Sequence, residues 1–527
     1  MPAATQTRNV QVTTPGFAQG LNLQSAVNEL APTEVRVAEN GFFDERGGFT
    51  KRLGCKNLVG VGGAAARIIS TYVFNRGAPN PQFLIHTSEG RVYYTNDPTA
   101  ASVVFTELGS GGWSTTQPMS WEQFAGKVYF CEGSHTLASW DGTTYTASVA
   151  GAPAGKYLRL WKDAMWVSGV VNQPDRVYSS AALDPTTWPV ANWVDIRKGD
   201  GDFVRALATD GLYLIVGKRN TGSIITDPAL FYNHTFDFDK GIESHWSVIT
   251  FEGSIFYLTR RGIAQWQGDS PANLISYKVD PLFDPRVINV DRLEFAWAFV
   301  FRQRICWSVA EVGSNVPTMQ ITYWPRLAEL TALGIRGLGP WSLDRIPISA
   351  GSMWRYQNIV RLFAGATGSN GFWWVYAEST GTDDGVPFSA ILETQPYDFS
   401  VPLLTKYIRR IRVLGRGRFN IQVRRNYESG VCYTYPIDLH WLEDNWSITD
   451  QWNAPGDIWG QLSNIQEATV NPDVYVRSVS LIFRDTNPDP GYLQLPVGSK
   501  IYTLSSGQWS VLAATIDGYA LGLRENH

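Results

Sequence analysis

Cys131 and His135 stand four residues apart in GKVYFCEGSHTLASWDG (126–142), a pairing that suits a nucleophile with its base or two ligands of a metal. The same unit recurs as GSIFYLTRRGIAQWQG (253–268), where Leu258 replaces Cys131 and Arg261 replaces His135. The unit persists without either residue, so both are read as structural. The four cysteines, Cys55, Cys131, Cys306 and Cys432, share no C-x-x-C spacing. That usage fits synthesis in a reducing compartment and argues against zinc. FDFDKG (236–241) offers Asp237 and Asp239 at the i, i+2 spacing of a calcium loop, but the rest of the series is missing. TDDG (382–385) is equally short, and turn chemistry accounts for both. GVGGAAAR (60–67) lacks the Lys-Ser/Thr that closes a phosphate loop. There is no G-x-S-x-G or H-E-x-x-H, and six histidines leave few bases. The expectation is a chain with no catalytic, cofactor or metal site.

The strongest charge feature is a basic run holding Lys406, Arg409, Arg410, Arg412, Arg416, Arg418, Arg424 and Arg425. Guanidinium forks suit phosphates and carboxylates, so this run is the candidate contact for a neighbouring subunit or a nucleic-acid backbone. The bland reading is a solvated strand face or ion pairs within the chain. SWDGTTY (139–145) approaches the Ser-x-Asp-x-Gly-x-Thr-Trp turn of sialidase-like propellers, but it lacks one residue and occurs once. A glycosidase also needs two carboxylates at a fixed separation, which sequence does not supply.

The elements that must carry these residues are strands. The 527 residues are 44% hydrophobic and 17% charged, with 49 Gly, 28 Pro and 21 Trp, and short Val-, Ile-, Tyr- and Trp-rich runs lie between turn residues. This is an all-β composition, and its length calls for more than one core. A net charge of −4 argues against a basic nucleic-acid clamp. No apolar run is long enough to cross a bilayer, and the first twenty residues have no apolar signal core, so a soluble, unexported protein with no membrane span is expected. Apolar strands begin near Phe83, Val128, Met165, Leu212, Ile255, Ile305 and Ile359, a period in the 40 to 50 residue range. That period marks a β-propeller, here of six to eight blades with seven preferred, its aromatic residues filling the space between blades.

The ends depart from the period. Residues 1–55 read as an N-terminal arm with a hairpin at GFFDERGGFTKRLG (41–54) and a short helix at APTEVRVAEN (31–40). The propeller is assigned to 56–385. Beyond it, Ile411 and Val413 alternate with Arg410 and Arg412, and Phe419, Ile421 and Val423 with Asn420, Gln422 and Arg424. This period of two predicts a small antiparallel β-sandwich over 386–527.

Three segments carry a family resemblance: GLNLQSAVNELAPTEVRVAENGFFDERGGFTKRLGC (20–55), RVYSSAALDPTTWPVANWVDIRKGDGDFVRALATDGLYLIVGKRNTGSII (176–225) and SHWSVITFEGSIFYLTRRGIAQWQGD (244–269). They resemble the β-propeller nozzle or tubular tail hub proteins of short-tailed bacteriophages, also described as packaged-DNA stabilisation proteins. The resemblance implies a non-enzymatic virion tail subunit, assembled in the host bacterial cytoplasm. It implies six copies in a ring, contacts to portal or adaptor and to tail-fibre or tip proteins, and genome DNA passing through the lumen without sequence reading. Few cations in that lumen would let phosphates slide. Family members are often longer, which puts a tip or fibre dock in doubt here. The competing expectation is a carbohydrate-binding or glycan-degrading propeller. A WD40-type scaffold is disfavoured, since Trp140-Asp141 is isolated.

Overall fold

The computed structural model describes residues 7–14, 16–44, 47–76, 81–227, 233–234, 240–267, 273–325, 339–377, 381–426, 433–439, 466–485 and 510–521. Regular structure among them is strand, apart from short 3₁₀ turns. The chain divides into two compact units. One comprises 56–325 and 345–375; the other gathers 1–55, 326–344 and 376–527.

The first unit is a β-propeller. Its sheets are consecutive antiparallel meanders. Blade 1 runs Ile68–Phe74, Gln82–Thr87, Arg91–Thr95 and Thr106–Leu108. Blade 2 runs Ser120–Phe124, Lys127–Cys131, Ala138–Trp140 and Tyr145–Thr146. Blade 3 runs Tyr157–Trp161, Ala164–Val170, Gln173–Ser179 and Trp193–Asp195. Blade 4 runs Val204–Thr209, Leu214–Lys218, Gly222–Ile225 and Asn233–His234. Blade 5 runs Ile249–Phe251, Ser254–Thr259, Gly262–Trp266 and Asn273–Leu274. The last blade runs Ile348–Tyr356, Ile359–Ala366 and Gly371–Ala377. These are six small sheets. Between the fifth and the last lies a further meander, Trp297–Phe301, Arg304–Val309 and Met319–Tyr323. The expected range of six to eight blades therefore holds. The apolar runs read from the sequence are the second strands of these meanders, although the run placed at Leu212 begins at Leu214.

The first two strands are joined in five places by a two-residue turn with both residues at positive φ: Ala125-Gly126, Lys162-Asp163, Glu252-Gly253, Arg302-Gln303 and Gln357-Asn358. Such turns match the right-handed twist of the flanking strands. In each case an aromatic residue ends the first strand: Phe124, Trp161, Phe251, Phe301 and Tyr356.

Packing between blades is apolar and aromatic. Phe74, Trp113, Trp121, Phe130 and Trp140 join blades 1 and 2. Trp161, Trp166, Leu207 and Val216 join blades 3 and 4. Ile68, Phe83, Trp354, Phe363 and Phe372 join the last blade to the first. Each such buried side chain contributes about 1.5–3 kcal/mol relative to exposure. The ring is sealed by residues 56–60, part of the strand Gly54–Gly60 that lies beside the strand beginning at Gly371. There Leu58 and Val59 pack on the Phe363 and Phe372 cluster, and the Val61 N–H donates to the Asn370 carbonyl at 2.9 Å.

In the second unit, Thr7–Thr13 pairs antiparallel with Ser510–Leu521, and Glu34–Glu39 pairs with Ile391–Thr394. Strands within the described part of residues 7–39 are thus woven into the sheet of the carboxy-terminal region. The expected hairpin is present, Gly41–Phe43 against Phe49–Lys51. The expected helix at 31–40 is instead the strand Glu34–Glu39, because Val35 and Ala38 sink fully into the sheet and β-branched residues alternate along it. The centre of this unit is one strand of 20 residues, Lys406–Arg425. Its first part pairs with Gln466–Val470, Val474–Val476 and Ser510–Leu521, its second with Tyr433–Leu439 and Val479–Arg484. Most described strands of the unit join one sheet system through this strand, while Thr382–Asp383 and Val386–Pro387 pair beside Gly54–Gly60; this pairing does not establish the small antiparallel sandwich expected over 386–527.

Candidate functional site

The basic run lies along the long strand, and pleating sorts it. Ile408, Ile411, Val413, Phe419, Ile421 and Val423 are buried. Lys406 is also buried, its ammonium donating to the Arg477 carbonyl at 2.5 Å, and burial pushes its pKa down. Arg409 is exposed and donates to the Tyr519 hydroxyl at 3.3 Å. Arg412 pairs with Asp517 at 3.3 Å, and Arg424 pairs with Glu393. Arg412, Arg418, Arg424 and Arg425 are half-buried, whereas Arg410 and Arg416 are exposed. The structure does not gather these eight residues into one pocket. It divides them between internal partners and an outward face.

The other candidates resolve into turns and core. Cys131 is fully buried among Tyr129, Leu158 and Met165, and burial pushes its thiol pKa up. His135 sits outside that core, with Nδ1 2.8 Å from Glu132 Oε1 and 2.9 Å from Ser134 Oγ. Serine and carboxylate meet the same ring nitrogen, so no relay from serine through histidine to acid is formed. Asp141 of SWDGTTY caps its own turn, accepting from the N–H groups of Thr143 and Thr144 at 2.9 and 2.7 Å. In GVGGAAAR the Gly63 N–H is taken by the Glu89 carboxylate at 3.1 Å, which fills the place an anion would need. Asp383 of TDDG pairs with fully buried Arg52, whose guanidinium also lies 3.6 Å over the Phe388 ring. Asp237 and Asp239 lie outside the described residues. Among the described residues no group of three or more His, Cys, Asp or Glu is placed to hold a metal.

Sequence reasoning missed the axis of the propeller. The innermost strands are linked around the ring by side-chain hydrogen bonds. Trp121 Nε1 donates to Ser70 Oγ at 2.7 Å, Ser120 Oγ to the Lys156 carbonyl at 2.9 Å, and Arg159 Nε to the Leu207 carbonyl at 3.3 Å. The Leu207 N–H donates to His245 Nδ1 at 3.3 Å, Ser244 Oγ to the Ala296 carbonyl at 2.7 Å, and Trp297 Nε1 to the Gly351 carbonyl at 3.0 Å. Thr71 and Ser352, 2.8 Å apart through their hydroxyls, return the circuit to blade 1. Trp246 reaches across from the segment before blade 5. Its Nε1 donates to the Met119 carbonyl at 3.1 Å, 127 residues away in sequence, and its ring stacks on Trp297 and leans on Tyr157.

Charged side chains on and beside the inner strands meet opposite charges. Glu122 meets Arg159 at 2.9 Å, Arg205 meets Glu243 at 3.3 Å and Glu294 at 3.4 Å, and Arg219 meets Glu243 at 3.3 Å. Burial raises the Glu122 pKa against the pull of Arg159. Burial, reinforced by Arg159, holds His245 well below the usual histidine range, so its ring is neutral. Burial also pushes Tyr157 up to about 12. These acids are bound by arginine forks, which is a way of fixing strands in place at low dielectric. The available signal was a charged residue inside the inner strands of blades 2, 3 and 4: Glu122, Arg159 and Arg205.

The fold defines a β-propeller protein, its inner strands tied by side-chain hydrogen bonds. No protein-family model matches the chain, and no curated protein matches it in sequence. Solved structures align with part of the chain. Raptor of Chaetomium thermophilum aligns over 62% of this chain at 10% identity and TM-score 0.40, and that alignment spans only 30% of the Raptor chain. The computationally designed Ika8 protein aligns over 61% of this chain and 99% of its own, at 8% identity and TM-score 0.33. BBS1N, in its complex with ARL6DN, aligns over 63% of this chain and 98% of its own, at 8% identity and TM-score 0.39.

Proposed function

We propose that this chain is a structural, non-catalytic subunit of a short-tailed bacteriophage tail, one of six copies in a ring whose lumen conducts the genome. The family resemblance supplies the identity. The observation that supports a mechanical role is the bracing of the inner strands: Trp246 reaches across to Met119, and Glu122 and Glu243 are engaged by Arg159, Arg205 and Arg219. A propeller built this way offers a stiff wall. Contacts to neighbours then fall to outward surfaces, and Arg410 and Arg416 on the long strand suit acidic groups there. DNA would pass between copies, without base contacts. The test is native mass spectrometry of the purified chain with electron-microscope images of the assembly. A six-membered ring around a channel as wide as duplex DNA is the expected result. Arg410→Glu with Arg416→Glu should leave the melting temperature unchanged and weaken the ring. A monomer at every concentration, with release of reducing sugar from host polysaccharide, would replace this reading with a glycan-degrading one.

A further inference from the structure

The second strand of blade 4 ends at Lys218, whose side chain is 1% exposed. Lysine is rarely this buried unless its charge is met. Four oxygens meet it. Asp200 Oδ1 lies at 2.7 Å, Asp175 Oδ1 at 2.9 Å, and the carbonyls of Arg197 and Asp202 both at 3.1 Å. Three of the four come from the turn Arg197-Lys198-Gly199-Asp200-Gly201-Asp202, where Arg197, Gly199 and Gly201 have φ of 44°, 83° and 81°. The alternation of left-handed and ordinary backbone coils the turn tightly.

The remaining carboxylate capacity holds the turn itself. Asp175 Oδ2 accepts the Gly199 N–H at 3.2 Å, and Asp200 Oδ1 also accepts the Asp202 N–H at 3.0 Å. The Asp202 carboxylate accepts the N–H groups of Phe203, Arg219 and Asn220 at 2.9, 3.2 and 2.8 Å. Two carboxylates, from Asp175 and Asp200, and two backbone carbonyls closing on one point are the means by which oxygen cages hold hard cations. Here the point they close on is occupied by a positive ion that the chain carries itself.

We infer that the 197–202 turn is a cation loop whose cation is supplied in cis by Lys218, and that a chain stripped of this ammonium takes a divalent cation of the calcium class in the same place. Removing the ammonium leaves two carboxylates and two carbonyls aimed at one position. Calcium takes six to eight oxygens at 2.3–2.6 Å, so the four must draw in by a few tenths of an ångström and water must complete the shell. Two charged ligands place the expected dissociation constant near the weak end of calcium sites, on the order of 10⁻⁴–10⁻³ M. Magnesium, which demands a near-ideal octahedron and dehydrates reluctantly, should be the poorer fit. This inference is independent of the proposed assembly.

The experiment uses the full-length chain and Lys218→Ala. Thermal unfolding is followed with no metal, with calcium chloride, with magnesium chloride and with a chelator, and terbium emission reports direct binding. The unsubstituted protein should respond to none of these. Lys218→Ala should melt lower without metal and recover in millimolar calcium, the folded-to-unfolded ratio rising about tenfold at ten times the dissociation constant. A Lys218→Ala chain that is insoluble without metal should refold when calcium is present. Adding Asp200→Asn to Lys218→Ala should abolish the response. A Lys218→Ala chain that neither binds terbium nor responds to calcium overturns the inference. So does failure to refold in calcium, or a calcium response that survives Asp200→Asn.

Discussion

Truncating Trp246 to alanine probes the centre of the propeller. The ring is 8% exposed, stacks on Trp297 at 6.4 Å between centroids with an 11° interplanar angle, and donates to the Met119 carbonyl. Loss of a buried tryptophan costs about 3–5 kcal/mol through transfer and cavity terms. The Met119 carbonyl loses its donor as well, worth about 1–3 kcal/mol if water does not replace it. A total near 4–5 kcal/mol is the working figure, since the two contributions overlap. The propeller unit has about 300 residues, and an unfolding entropy of about 2 cal/mol/K per residue converts that loss to roughly 7 °C in melting temperature. Trp246→Phe is the milder change, because it keeps an aromatic ring while losing the donor and part of the indole volume. It should cost about 1–2 kcal/mol, or roughly 2–3 °C. Scanning calorimetry of the three proteins decides the matter. A shift below about 1 °C for Trp246→Ala, or equal shifts for both variants, would refute the claim that this side chain ties opposite sides of the ring together.

Two further expectations rest on buried charge. His86 is wholly buried, and burial pulls its pKa down to about 4, opposed by nearby Glu132. Between the unfolded value of about 6.5 and the folded value of about 4, the unfolded chain binds a proton that the folded chain refuses. Stability therefore falls as pH drops through that window, by about 2 kcal/mol from this residue at pH 5. His86→Leu should flatten the difference between urea midpoints at pH 7 and pH 5, and an unchanged difference would count against it. Arg52→Met strands the Asp383 carboxylate inside the second unit and should cost about 3–5 kcal/mol in chemical denaturation. A cost under about 1 kcal/mol would mean that Asp383 finds water or a proton easily.

The periodic part of the fold was legible because second strands are apolar on both faces, as in Phe83, Leu84 and Ile85, and so stand out from their neighbours. Inner strands hid better. Those of blades 2, 3 and 4 each carry a charged residue, and Glu122, Arg159 and Arg205 broke the apolar runs that reveal a strand. The aromatic residue before each two-residue turn was also visible in the letters. Its turn pairs, such as Lys162-Asp163 and Arg302-Gln303, lack the Asn-Gly signature that usually marks them. The alternation of Ile411 and Val413 with Arg410 and Arg412 correctly assigned faces to the long strand. It held no information about which strands lie alongside, because pairing such as Thr7–Thr13 with Ser510–Leu521 spans almost the whole chain. The axial circuit was illegible for the same reason: Trp246 and Met119 are neighbours only once the circle closes.

The seal formed by residues 56–60 has a cost in time. This segment leaves the ribosome early, yet the strand it lies beside, which begins at Gly371, is made some 300 residues later. At about 5–20 residues per second the wait is on the order of 15–60 s. Throughout it, the growing arc carries an unpaired flank able to capture another nascent chain. Bringing the two ends of so long a span together adds a slow entropic step after the individual blades have formed. Synthesis rate and chaperone supply, more than the strength of any one contact, should therefore set the yield of native protein.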